Sequence, residues 1–386
     1  MPQTYKVLFF VEGFTDIRFV TGLSEICDLT LAVPAIQYQE SGLKQRVAQS
    51  GANLQVDEIP GGRLQFQFNS FRYLLRRAQD FDLIISQEML RGSFNATLVG
   101  RLRNIPVITY LGIAPLEYFL CRRERGQLSA LKSFLGATII RFLLYSNGLM
   151  ATRCLAMGPY LREIAARYCS RSEVGLYYGV DTNFFCPANE AEIHQLRIRR
   201  NLPLDKFIIF LSSRISHEKD PETVLRATAR ARECGLDAVV INLGGGYQDF
   251  LNLAKQLQLP NSDEWVLGRP AAHPMTEVAD YFRAADVMAL ASLAEGAAYS
   301  TLEALSCGTP VVATAVGGMA VQLQGHARLT PRRDPEAMCQ EFLWIANNRA
   351  AARAQALAGR EYILKEWRRE KAFGDLLRVF GEVCSK

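Results

Sequence analysis

Two rhythms of apolar residues alternate along the chain. Short runs are rich in apolar and β-branched residues: "YKVLFFV", "LTLAVPA", "LQVDEIP", "FDLIISQ", "IPVITYL", "GLMATRC" and "SEVGLYYGV" in the first half, then "FIIFLSSRI", "AVVINLGGG", "EWVLG", "VMALAS" and "PVVATAV". Each reads as a strand, and continuous apolar character means that both faces of the sheet are covered. Between the runs lie stretches of helical spacing, such as "DPETVLRATARARECG" and "MTEVADYFRAA". The alternation predicts an α/β chain with two parallel-sheet domains of Rossmann type. A polar turn and Pro187 in "YYGVDTNFFCPANE" mark the expected boundary. The expected division is therefore 1–180, 181–360, and a last helical segment 361–386 that packs back on the first domain. Two such domains in series leave a cleft at the carboxyl ends of their sheets, where open α/β sheets bind ligands.

Composition narrows the class. The chain has 386 residues, 49% hydrophobic and 22% charged, the balance of a globular protein with sizeable cores. The apolar stretch 137–151 is interrupted by Arg141 and Asn147, so no membrane span is expected. The first apolar run is too short for an export signal. Nine scattered cysteines form no Cys-x-x-Cys pair, and the four histidines make no ligand spacing with them. Reduced thiols, a cytoplasmic location and no structural zinc are the expectations.

Charge adds one asymmetry. Residues 1–187 hold 20 Lys and Arg against 15 Asp and Glu, whereas the remainder is balanced. An anionic partner of the first half, phosphate-bearing acceptor or lipid surface, would account for the excess. The segment 121–145, "CRRERGQLSALKSFLGATIIRFLLY", reads either as a basic amphipathic helix that rests on anionic lipid or as a helix packed by its apolar side on the first sheet.

Candidate chemistry centres on "LAEGAAYSTLEALSCGTPVVA". Glu295 falls in the loop after the strand "VMALAS", and Glu303 about one turn into a helix that stops at Gly308. Gly296, Ala297 and Ala298 let a ligand approach the backbone, and free N–H groups near Ser300 and Thr301 favour an anion. An acid on either side of an anion site fits a nucleoside-diphosphate sugar, with one carboxylate on the sugar hydroxyls and the other on the ribose. In "SSRISHEKDPETVL", Arg214 and Lys219 would oppose the diphosphate and stabilise it as a leaving group. "INLGGGYQDF" places Gly244, Gly245 and Gly246 at a strand–helix turn, without the full dinucleotide fingerprint.

The segment "EGAAYSTLEALSCGTPVVATAVGG" resembles the Glu-x7-Glu region of family 4 glycosyltransferases, which are retaining enzymes of GT-B fold. "YYGVDTNFFCP", "SSRISHEKDPETVL", "LGGGY", "WVLGRP" and "YFRAADVMALASLAEG" resemble further blocks of that family in the same order. The resemblance is strong over 170–330 and weak before it. It implies two Rossmann-like domains facing across a cleft, the first for the acceptor and the second for the nucleotide sugar. It implies Arg214, Lys219 and Glu295 as catalytic residues, and Glu303 on the ribose. Gly296, Ala297, Ala298, Ser300 and Thr301 would meet sugar and phosphates, with Gly245 on the donor. Gly268 and Arg269 would lie against the base, and Gly13 would face the donor phosphates and the acceptor.

The implied reaction moves a hexose-like sugar to an acceptor hydroxyl, needs no cofactor or metal, and keeps the anomeric configuration. The acceptor would be a glycan precursor, lipid-linked or at the cell surface, or a small molecule; no nucleic acid is involved. A peripheral seat on the inner face of the cell membrane goes with a lipid-linked acceptor. One position departs from the family: Leu111 stands where many members carry a histidine. Glu12, Asp16, Tyr110 and Glu117 are then the candidates to orient the acceptor. Two other readings remain at this point, a non-catalytic nucleotide-sugar-binding partner protein and a nucleotide-sugar epimerase.

Overall fold

The computed structural model describes residues 4–13, 15–124, 126–244, 246–270 and 274–385. The chain divides into two compact units, Met1–Gly179 with Arg369–Lys386, and Val180–Arg368.

Seven strands build the sheet of the first unit: β1 Lys6–Phe10, β2 Asp28–Pro34, β3 Leu54–Ile59, β4 Leu83–Gln87, β5 Val107–Leu111, β6 Arg153–Ala156 and β7 Ser172–Val174. Their order is β3-β2-β1-β4-β5-β6-β7. All neighbours are parallel, with Val7 opposite both Leu29 and Leu83. Parallel pairing demands crossovers, and the crossover helices cover both faces; Val7 to Phe10 are accordingly buried.

The second unit holds β8 Phe207–Leu211, β9 Ala238–Leu243, β10 Val266–Arg269, β11 Val287–Leu290, β12 Val311–Thr314 and β13 Arg328–Thr330. They run in the order β10-β9-β8-β11-β12-β13, again all parallel. In both sheets the order reverses once, between β1 and β4 and between β8 and β11. At such switch points the loops leaving the two central strands diverge and open a crevice.

Several boundaries differ from the sequence expectation. Residues 148–150 of "GLMATRC" complete the helix Ala130–Met150, and the strand begins at Arg153. Ser262–Trp265 is a helical turn ahead of β10. β13 has three residues and lies at an edge, too short to show a period. The expected third segment began at 361, but 361–366 finish the helix Arg349–Glu366. That helix buries Ala352, Ala356, Gly359 and Ile363 on one face within the second unit, which holds it there to its end. The helix Arg369–Cys384 belongs to the first unit, where Phe373 stacks on Phe19 at 6.1 Å and Arg369 forks onto Glu25 with two bonds of 2.9 Å. No cysteine forms a disulfide among the described residues.

Candidate functional site

The switch point of the second unit gathers the loop after β8 and the loop after β11. The first is Ser212–Asp220, which ends in a 3-10 turn over His217–Lys219. Asp220 closes it with φ 45°, unusual for a residue with a Cβ. Its carboxylate accepts a 2.7 Å bond from Thr223, and Pro221 then opens the helix Pro221–Glu233. The second loop runs from Ala291 to Ala298 and enters the helix Tyr299–Ser306. Because β8 and β11 are neighbours, the loops meet. Leu293 N donates to the Glu218 carbonyl at 2.8 Å, and Lys219 Nζ donates to Glu295 Oε2.

The Lys219–Glu295 pair is nearly out of solvent, with side chains 16% and 9% exposed. Ser292 Oγ donates to the same carboxylate oxygen at 3.2 Å. Ser292 is itself fixed, since its carbonyl accepts from Thr314 at 2.6 Å. Burial pushes the neighbouring Glu218 carboxyl up, but its backbone hydrogen bond, Ser216 and the Arg214 and Lys219 charges outweigh burial and hold it below the usual carboxylate range. Arg214 is exposed, earlier in the same loop, and its charge acts on Glu218.

The loop after β11 is braced from behind. Gly318 N donates to the Glu295 carbonyl at 2.9 Å, and Gln322 donates to Ala298 O at 3.1 Å and to Thr301 Oγ1 at 3.3 Å. A Cβ on Gly318 would lie 1.8 Å from Gly296 O, so only glycine allows this approach. Gly318, Gln322 and Ser292 were not among the residues expected from sequence. Nothing local marks them; Gly318 and Gln322 matter because β12 brings its following helix behind this loop, and Ser292 because the loop itself turns its hydroxyl onto Glu295.

The other expected residues divide between the site, the interior and positions beyond the loop. Gly296 and Ala298 are buried and Ala297 half-exposed along the same loop, Ser300 is half-exposed in the first turn of the helix, and Glu303 is buried one turn further in. Thr301 belongs to the interior instead. Its amide donates to Ala298 O at 3.1 Å and its hydroxyl to the same oxygen at 2.6 Å, so neither is open to a ligand. Gly268 serves packing, because a Cβ there would lie 2.8 Å from the Tyr247 ring of the helix above. Arg269, at the end of β10, donates to Asn201 O at 3.4 Å. Gly245 lies outside the described residues; its neighbour Gly246 starts the helix Tyr247–Gln256 with φ 93°.

In the first unit a cavity of about 570 Å³ opens at the carboxyl ends of β1, β2 and β3. Glu12, Gly13, Glu40, Arg63, Phe66 and Arg91 are among its lining residues. Glu12 is anchored by Gly92 N at 2.6 Å, Gln67 at 2.8 Å and Arg91 at 2.7 Å. Glu88, at the end of β4, carries φ 68°. Burial and the Glu12 charge raise its carboxyl above the usual range. A strained backbone and a perturbed acid at a switch point mark Glu88 as a candidate that sequence reasoning passed over; a positive φ leaves no signature in a Glu codon.

Three other residues expected near the acceptor have partners within the first unit. Asp16 caps the helix Ile17–Ile26. Burial raises its carboxyl, but a forked pair with Arg18 at 3.0 and 2.8 Å outweighs that and lowers it. Tyr110 is 1% exposed, packed edge-on against Phe19 and Tyr177. Glu117 is exposed and accepts from Tyr160. Leu111 is buried at the end of β5.

A second cavity, about 640 Å³, lies at the amino ends of β8 and β12, the pole opposite the Lys219–Glu295 pair. Its guanidinium groups are already engaged: Arg197 with Asp286 at 2.9 Å, Arg283 with Cys186 O at 2.8 Å and Arg353 with Ala188 O at 2.8 Å. Volume alone therefore does not locate the chemistry.

Residues 192–362 match the family model described as glycosyl transferases group 1. D-inositol 3-phosphate glycosyltransferase 1 of Catenulispora acidiphila is 27% identical over 343 residues, which span 84% of this chain and 78% of the relative. D-inositol 3-phosphate glycosyltransferase of Mycobacterium tuberculosis is 34% identical over 154 residues, 38% of this chain and 30% of the relative. Among solved structures, Anabaena Alr3699/HepE in complex with UDP-glucose superposes with a TM-score of 0.78 at 16% identity, covering 98% of this chain and 100% of that one. Sucrose-phosphate synthase of Thermosynechococcus elongatus gives 0.76 at 16% identity, covering 99% of each. With the two parallel sheets, these likenesses define the fold as α/β of the GT-B class.

Proposed function

We propose that this chain, a glycosyltransferase whose residues 192–362 match the group 1 domain, moves a sugar from a nucleoside diphosphate to an acceptor hydroxyl with retention and without a metal. The observation that carries the reading is the buried Lys219–Glu295 pair at the switch point of the second sheet. Lys219 and Arg214 oppose the diphosphate. Glu295, an acceptor-only group when ionised, takes hydroxyls of the sugar, and Glu303 takes those of the ribose. The backbone from Gly296 to Ser300 meets sugar and phosphate, and Arg269 flanks the base. In the transfer the bond from the anomeric carbon to the phosphate oxygen breaks and the diphosphate leaves with the electron pair. The acceptor oxygen bonds on the face just vacated, and its proton passes to the departing phosphate. Fixed cations favour this step because charge develops on the leaving oxygen.

The acceptor belongs to the cavity bounded by Glu12, Gly13, Arg63 and Arg91. Arg63 in that lining, beside Arg91 held on Glu12, suits an acceptor that carries phosphate, as do relatives named for D-inositol 3-phosphate. The location that fits is the cytoplasmic side of the cell.

A thermal-shift panel of UDP-, GDP- and ADP-sugars tests the donor reading, followed by donor hydrolysis. One nucleotide class is expected to stabilise the protein and to be hydrolysed slowly. Glu295→Gln should lower that turnover by about tenfold or more, the worth of a hydrogen bond to a charged group. No shift with any donor would overturn the reading. Interconversion of the free donor sugar would point to an epimerase, and binding without any turnover to a non-catalytic partner.

Glu88 gives a pH prediction. Its carboxyl holds its proton above the usual range only in the folded state. Below the ordinary glutamate range both states are protonated and Glu88 is neutral for stability. As pH rises through and beyond that range, the unfolded state ionises first, so Glu88 progressively weakens the fold. Glu88→Gln should therefore raise Tm relative to wild type at neutral pH and leave it unchanged at about pH 4. A Tm difference that does not change with pH would contradict the assignment.

A further inference from the structure

The helix Ala130–Met150 is built the wrong way round for a core helix. It buries Ser133, Ala137, Leu144, Asn147 and Gly148, mostly small or polar. Its large apolar residues face out: Leu131 and Phe134 are each 67% exposed, Phe142 is 62% and Leu149 is 75%. Leu135, Ile139 and Tyr145 are also more than half exposed. At about 100° per residue these seven side chains share one arc of roughly 140°. They form a largely apolar ridge, about 30 Å long at 1.5 Å per residue, in which the arc also holds Ser146 and Thr138, whose hydroxyl donates to Phe134 O at 2.9 Å.

The charges around the ridge say what covers it. Lys132 and Arg141, both exposed, fall at its two margins, and the helix carries no acid. Exposed Arg122 and Arg123 end the preceding helix, Pro115–Glu124, and exposed Arg101 and Arg103 end the helix Arg91–Arg103 packed beside it. Residues 101–150 hold seven Lys and Arg against two Asp and Glu, while the rest of the chain carries 37 of each. The whole net charge of +5 therefore sits in this one region.

We propose that this helix lies in the interface of an anionic bilayer, its ridge sunk among the acyl chains and its marginal cations on the lipid phosphates. A second copy of the chain is a poorer occupant. Two such faces would set the same uncompensated positive charge against itself, whereas anionic headgroups neutralise it. The long stems of Lys132 and Arg141 reach upward from the ridge to the headgroups, the usual behaviour of cations flanking an apolar surface. Among the described residues no helix is long and apolar enough to cross a membrane, so the contact is in-plane. The proposal is independent of the donor reading, since none of its residues lies in the second unit.

Vesicle sedimentation of the full chain tests it, using phosphatidylcholine vesicles with and without phosphatidylglycerol. Wild type is expected to bind the anionic vesicles at least tenfold more tightly than the neutral ones, and to be released by salt. Leu135→Ser/Phe142→Ser/Leu149→Ser should lose at least tenfold on anionic vesicles, with an unchanged circular dichroism melt and unchanged donor hydrolysis. Arg122→Glu/Arg123→Glu, which leaves the ridge intact, should lose only the preference for phosphatidylglycerol. Equal binding of wild type and the serine variant would overturn the proposal. So would a wild-type dimer by light scattering that the serine variant converts to a monomer while neither binds vesicles.

Discussion

Lys219→Ala is expected to lower donor turnover by about two to three orders of magnitude, the effect of removing one group that stabilises developing charge. The loss should appear in kcat more than in KM, because charge on the leaving diphosphate grows toward the transition state. The same change should also weaken the fold. Glu295 would keep only the Ser292 hydroxyl and remain a buried carboxylate without its cation. Breaking a buried pair from one side costs about 3–5 kcal/mol. A denaturant titration checks that part. The double variant Lys219→Met/Glu295→Gln separates the two roles, since it removes the stranded charge. Stability should return toward wild type while turnover stays low. Wild-type turnover in a folded Lys219→Ala protein would refute the assignment of Lys219 to the diphosphate.

Gly318→Ala is expected to cost nearly as much in activity, although Gly318 need touch no substrate. Its new methyl would meet Gly296 O at 1.8 Å, and that oxygen belongs to backbone, which cannot swing aside as a side chain would. Either the loop after β11 or the helix Gly317–Gln322 must shift. The bond from Gly318 N to the Glu295 carbonyl, 2.9 Å, would stretch with it and move Glu295 relative to Lys219. Overpacking of this kind costs about 1–3 kcal/mol, and a displacement near 1 Å in a site can cost about a hundredfold in rate. The expected result is a lower Tm, weaker donor binding and a kcat down by at least tenfold. Gln322→Ala removes two bonds to the same loop without the clash and serves as the milder comparison. If Gly318→Ala retains full turnover, the loop tolerates displacement and the bracing described above has no catalytic weight.

Much of the fold could be read from local pattern. Each of the twelve apolar runs overlaps an observed strand at least in part; the central strands are apolar throughout because both faces are buried, whereas the edge strands β3 and β7 are partly exposed and carry polar residues. Gly308 was legible as a helix stop, and it sits just past Ser306 with φ 71°. Where the pattern failed, a competing force explains it. The apolar run before Arg153 also suits a helix, and the helix Ala130–Met150 extends into it. Tyr110 looked like a polar group near a strand end, but its ring fills an aromatic cluster with Phe19 and Tyr177. Gly268 looked like a ligand contact and proved to be room for the Tyr247 ring. Tyrosine and glycine serve cores and sites equally well, so type alone could not separate the two uses.

The amino-acid order by itself determined the alternation of strand and helix, the presence of two sheets and the identities of Arg214, Lys219, Glu295 and Glu303 as residues of interest. Periodicity and residue chemistry are local, and they act before any long-range contact forms. Tertiary structure alone decided that Lys219 meets Glu295 across 76 positions of sequence, because β8 and β11 become neighbours only when the crossovers close. It also decided which side of the helix Ala130–Met150 turns outward. That choice rests on what the neighbouring helices leave room for, and close packing admitted the serine, alanine and glycine face and left the leucines and phenylalanines to the outside.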